Sequence, residues 1–137
     1  MSTARSRALT LLARSPRTEA EIERALGEEG KEAVSWLKEL GFVDDRRYAL
    51  DYVAFRAKKY GRLRLEHALK KKGVSRDIIK EIMPRPEEEQ GAAEALLHKK
   101  FHEMPKDARE RAKAARFLAS RGFSAAAVMA ALKVSCS

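Results

Sequence analysis

The chain has 137 residues, 45% hydrophobic and 36% charged, a composition that suits one folded domain or a short array of small helical repeats rather than a disordered chain, and nothing in it suggests a large enzyme. Its only cysteine is Cys136, so an intrachain disulfide and a multi-cysteine metal site are excluded. The N-terminal apolar stretch is too short for a secretory signal and no run approaches the roughly 18 residues of a membrane helix, so a cytoplasmic protein is expected.

In chain order, Thr18 and Glu21 form a Thr-x-x-Glu capping box that predicts a helix start. Ala33, Trp36, Leu37 and Leu40 then recur at helical spacing, and Leu37/Gly41/Phe42 reads as a stop: a left-handed glycine, followed by an apolar residue that folds back on the leucine. Asp44 and Asp45 raise the question of an acidic catalytic pair. Adjacent carboxylates at a helix start point in different directions, so the pair is read instead as a cap and elbow for a long helix with Tyr48, Tyr52 and Phe55 on its apolar face. A Tyr60-Gly61 turn follows.

Leu69/Gly73/Val74 is a second stop of the same kind, Ser75 caps the next helix, and Ile78, Ile79, Ile82 and Met83 form its stripe. The segment PRPEEEQG is a joint, with Pro86 at a first helical position and Glu87, Glu88 and Glu89 complementing the positive helix end. Ala93, Leu96, Leu97, Phe101 and Met104 line the following helix, and Pro105 marks another start. Leu118/Gly122/Phe123 is the third stop, and Ser124 caps the last helix. The stretches from Leu69 and from Leu118 match at an offset of 49 residues, and Leu26 with Gly30 gives a third, looser copy. No segment alternates like a strand. The expected fold is all-α, nine helices in an elongated array of three tandem, helix-turn-helix-like three-helix units, residues 1–43, 44–84 and 85–137.

Charge is concentrated in the middle. Residues 56–85 carry eleven cations against three carboxylates, a net +8 within a total of +9. Such a run is often only a solvated helix face. Its density favours binding to a polyanion or an acidic protein face, with Arg56, Lys58, Lys59, Arg62, Arg64, Lys70, Lys71, Lys72 and Arg76 as the candidates. Helical periodicity cannot put all nine on one face. Tyr48, Tyr52 and Phe55 could stack on unpaired bases, but a stripe at helical spacing is assigned to the core, and Tyr60 is left open. His98 and His102, four apart beside Glu103 with only His67 elsewhere, are too few ligands for a metal centre and are assigned to the surface. No phosphate loop, Ser-His-Asp set or Cys-His pair is found, so neither an enzyme nor a cofactor is expected.

The stretch LGFVDDRRYALDYVAFRAKKYGRLRLEHALKKKGVS, residues 40–75, combines a Gly-Phe-x-Asp-Asp elbow, a Tyr-Gly turn and a Lys-Gly-Val-Ser turn, and RGF recurs at 121–123. In these features the chain resembles the RecX family, bacterial regulators of the RecA recombinase. The resemblance implies a curved chain of three-helix units that binds in the groove of the RecA filament on single-stranded DNA. It also implies a non-catalytic inhibitor of RecA ATP hydrolysis and strand exchange, acting in homologous recombination, DNA repair and the SOS response. The implied partners are the RecA filament and, more weakly, single-stranded or duplex DNA; a monomer without membrane contact is expected. The alternative is a stand-alone DNA-binding transcriptional regulator with one three-helix unit in the major groove. Against it, the Ile78, Ile79, Ile82 and Met83 stripe leaves few polar side chains on a reading helix.

Overall fold

The computed structural model describes residues 3–133, so Cys136 lies outside the described residues. Those residues form α1 (Ala4–Arg14), α2 (Glu19–Leu26), a 3-10 turn (Gly27–Glu29), α3 (Gly30–Glu39), α4 (Asp45–Arg56), α5 (Arg62–Lys71), α6 (Arg76–Ile82), α7 (Pro86–Phe101), α8 (Ala108–Ser120) and α9 (Ala125–Ala131). The expected all-helical class with nine helices is found among them, and none is long and apolar enough to cross a membrane. Packing divides the described residues into two compact units, one within residues 3–51 and 69–82, the other within residues 52–68 and 83–133.

In the first unit, α1, α2 and α3 bury Ala8, Ile22, Ala33, Val34, Leu37 and Val43 in one cluster. Full burial of Ile22 and Leu37 contributes about 1.5–3 kcal/mol each. The capping box at the start of α2 is complete: Glu21 N–H donates to Thr18 Oγ1 at 3.2 Å, and Thr18 N–H donates to Glu21 Oε1 at 3.0 Å. Thr18 is itself buried, and its hydroxyl donates to the Lys72 carbonyl at 2.6 Å.

The second unit has its own core of Ala93, Leu97, Ala114, Leu118, Phe123, Ala127, Val128, Ala131 and Leu132, with Phe101 and Phe117 meeting edge to face at 5.9 Å.

All three Leu-x-x-x-Gly stops are Schellman caps. Phe42, Val74 and Phe123 N–H groups donate to the carbonyls of Leu37, Leu69 and Leu118, and Gly41, Gly73 and Gly122 have φ of 78°, 86° and 84°. The predicted caps Ser75 and Ser124 receive the N–H of Ile78 and Ala127. Pro86 opens α7 with the three glutamates in its first turn.

Five expectations are corrected. Gly30 is helical at φ −64° inside the start of α3, where a Cβ would fall 2.8 Å from Glu23 Cα; α2 ends at Leu26 with Gly27 as its C-cap, so the looser third copy is not a stop of the same kind. Leu40 and Phe42 are exposed, because Val43 occupies the core place expected of Phe42. Met104 is exposed, because α7 ends at Phe101 and His102 takes φ 64°. Pro105 lies before α8, whose cap is Asp107. Finally, α4 buries Ala49 and Val53 rather than the aromatic stripe; Tyr48 and Tyr52 are half-buried and Phe55 is 80% exposed.

Candidate nucleic-acid interface

In the second unit the chain leaves α4 at Arg56, passes through a turn carrying exposed Lys58 and Lys59, and enters α5 at Arg62. The turn is fixed by backbone bonds: Gly61 N–H donates to the Arg121 carbonyl at 2.8 Å and Leu63 N–H to the Gly122 carbonyl at 2.9 Å. A Cβ on Gly61 would collide with the backbone of Phe123, so only glycine admits this approach. The first N–H of α5, that of Arg62, donates to Glu89 Oε2 at 2.9 Å. The same buried carboxylate accepts from Ser124 N–H at 3.0 Å and Ser124 Oγ at 2.7 Å, thereby satisfying donors at the starts of two helices.

On this frame, cations are held against rings. The Arg56 guanidinium stands 3.9 Å from the Tyr52 ring centre and 5.6 Å from that of Phe55. Tyr60 is met by Arg64 at 4.1 Å and by Arg121 at 5.8 Å, and Arg121 also lies 5.3 Å from Phe117. Ring-held guanidiniums keep their donors directed outward at reduced entropic cost, and a guanidinium fork matches phosphate oxygens.

Of the nine candidate cations, Arg56, Lys58, Lys59, Arg62 and Arg64 belong to the second unit, and Lys70, Lys71, Lys72 and Arg76 to the first. Arg62 is engaged by Glu66 at 3.1 Å, which leaves Arg56 and Arg64 as the ring-held pair. In the first unit Lys70, Lys71 and Arg76 are exposed, whereas Lys72 is half-buried where its carbonyl receives Thr18. Arg121 was not among the candidates. Its signal in the sequence is its place in RGF, next to the glycine of the third stop.

The aspartate pair does two separate jobs in the first unit. Asp44 Oδ1 accepts Arg47 N–H at 3.2 Å and caps α4, while Asp45 Oδ1 accepts Glu19 N–H at 2.9 Å, at the start of α2. Burial holds the Asp45 carboxyl above its ordinary 3.8, against the opposing pull of the Glu19 N–H and of Lys38. Among the described residues no cluster of three or more metal-ligating side chains occurs, and His98 and His102 are both exposed.

Models of the first, second and third three-helix domains of RecX match residues 4–33, 44–83 and 87–132. Regulatory protein RecX of Neisseria meningitidis is 36% identical over 135 residues, covering 94% of this chain and 88% of that one. Regulatory protein RecX of Thermus thermophilus is 36% identical over 105 residues, 77% of this chain and 63% of that one. The crystal structure of RecX from Lactobacillus salivarius superposes with a TM-score of 0.81 at 21% identity, over 95% of this chain and 92% of that one, which shows a shared fold. The chain belongs to the RecX family of regulatory proteins.

Proposed function

We propose that this protein is a negative regulator of the RecA recombinase. It binds in the groove of the RecA filament on single-stranded DNA and lowers ATP hydrolysis and strand exchange, thereby modulating recombination and repair. The observation that carries this reading is the succession of three RecX three-helix domains along the chain. The exposed cations between Arg56 and Arg76 supply the electrostatic complement to phosphates or an acidic protein face. In this reading the protein acts as a cytoplasmic monomer of units 1–43, 44–84 and 85–137, without chemistry of its own. Major-groove reading by α6 is less favoured: beside its buried Ile79 and Ile82 it exposes Arg76 and Lys80 together with Asp77 and Glu81, a net charge of zero.

The test is single-strand-dependent ATP hydrolysis by RecA titrated with this protein, beside its binding to the bare strand. Inhibition well below the concentration that coats free DNA is expected. Inhibition only once the bare strand is saturated would mean plain competition for DNA and would overturn the filament reading.

A further inference from the structure

Phe55 is the most exposed of the large hydrophobic side chains among the described residues, at 80%, although it sits in the last turn of α4 between half-buried Tyr52 and the cationic turn. A single exposed apolar residue is ordinary on its own. What surrounds this one is not a generic surface. The Arg56 guanidinium bridges Tyr52 and Phe55, and exposed Lys58 and Lys59 follow within four residues of the ring in sequence, so the open aromatic side chain belongs to a strongly cationic stretch. Residues 52–68 contain five cations and one carboxylate, and that carboxylate, Glu66, is engaged by Arg62. Arg56 pairs with no carboxylate among the described residues; its place over the rings holds it ready for an anion outside the chain.

We propose that Phe55 is a stacking platform for one unpaired nucleotide base, with Arg56 taking an adjacent phosphate, so that this surface selects single-stranded over duplex nucleic acid. This rests on the reading of the basic surface as a contact to DNA. Cations alone would bind both forms, since phosphates are common to both. An exposed ring adds affinity only where a base face is free, and in a duplex those faces are covered by neighbouring base pairs. A protein partner can dock on an aromatic or an aliphatic side chain, whereas stacking of a base requires a π-face.

The experiment measures binding of the full chain to a fluorescent oligothymidine and to a duplex of equal length, by anisotropy across a salt series. Phe55→Ala is expected to weaken single-strand binding about tenfold, from the usual strength of one base–aromatic stack, with duplex affinity and salt slope close to wild type. Phe55→Trp should restore single-strand binding, and Phe55→Leu, which keeps the apolar area without the ring, should not. An unchanged single-strand affinity in Phe55→Ala, an equal loss on duplex, or no binding of oligothymidine by the wild type would each overturn the proposal. So would loss of RecA inhibition by Phe55→Ala with single-strand binding intact, since the ring would then contact protein. Failure of the wild type to inhibit RecA would instead overturn the filament reading, and the bare-strand comparison would still decide the role of Phe55.

Discussion

Asp45 and Glu19, 26 residues apart, are joined by a 2.9 Å hydrogen bond in which a buried carboxylate accepts the first N–H of α2. Desolvation raises the Asp45 carboxyl above 3.8, so its protonated form is relatively favoured in the folded chain and ionisation costs stability as pH rises through the interval above 3.8. Asp45→Asn keeps an oxygen to accept the Glu19 N–H and has no such ionisation. Urea denaturation of both proteins at pH 3 and pH 7 should therefore show the difference in stability moving in favour of the variant at the higher pH. A shift in favour of the wild type would mean that the aspartate charge is net stabilising.

Two glycines should respond with opposite signs. Gly61→Ala sets a Cβ against the Phe123 backbone and is expected to destabilise by about 1–3 kcal/mol. Gly91 lies within α7 with open space around the Cβ position, and Gly91→Ala should stabilise by about 0.5–1 kcal/mol through helix propensity. Chemical denaturation of both variants checks the pair.

Glu89 should tolerate an amide far better than truncation. In Glu89→Gln a carbonyl oxygen can still accept from Arg62 and Ser124 N–H, and the amide nitrogen can donate to the Ser124 hydroxyl; the loss should be about 1 kcal/mol. Glu89→Ala strands three donors and should lose about 3 kcal/mol or more. Equal losses in thermal or urea unfolding would refute this account of the site.

Arg64 and Arg62 stand two residues apart with different local partners, Tyr60 and Glu66. If phosphate is the ligand of the basic surface, Arg64→Ala should weaken DNA binding and lower the salt slope by about 1, while Arg62→Ala changes the slope less. The logarithm of affinity against that of salt concentration reads both. With Arg62, Arg64 and Lys71 all reversed to Glu, RecA inhibition is expected to vanish while far-UV circular dichroism stays helical.

Much of the fold was legible because it is written in short-range chemistry. Thr18, Ser75 and Ser124 reach donors three residues on, and the glycine stops close within five residues. Asp107 with Glu110 carried the same kind of signal, and it would have placed the start of α8 correctly where Pro105 did not. Periodicity failed in α4, where Ala49/Val53 and Tyr48/Tyr52/Phe55 are neighbouring stripes and spacing alone does not say which meets the core. Nor could spacing show that Glu89 serves Arg62 and Ser124, 27 and 35 residues away. The basic block was visible as charge; which cations lie over rings required coordinates, and the pairing of Arg121 with Tyr60 spans 61 residues that no local pattern connects.

The turn at Gly61 has a consequence for the order in which the protein can be finished on the ribosome. Its N–H and that of Leu63 wait for the carbonyls of Arg121 and Gly122, and the first amide of α5 waits for Glu89. Until those residues emerge, water must hold the places of all three acceptors. The segment bearing Arg56, Lys58, Lys59 and Arg64 therefore reaches its final form only after residue 122 has emerged, so a nascent chain stalled before residue 121 presents the charge without the geometry.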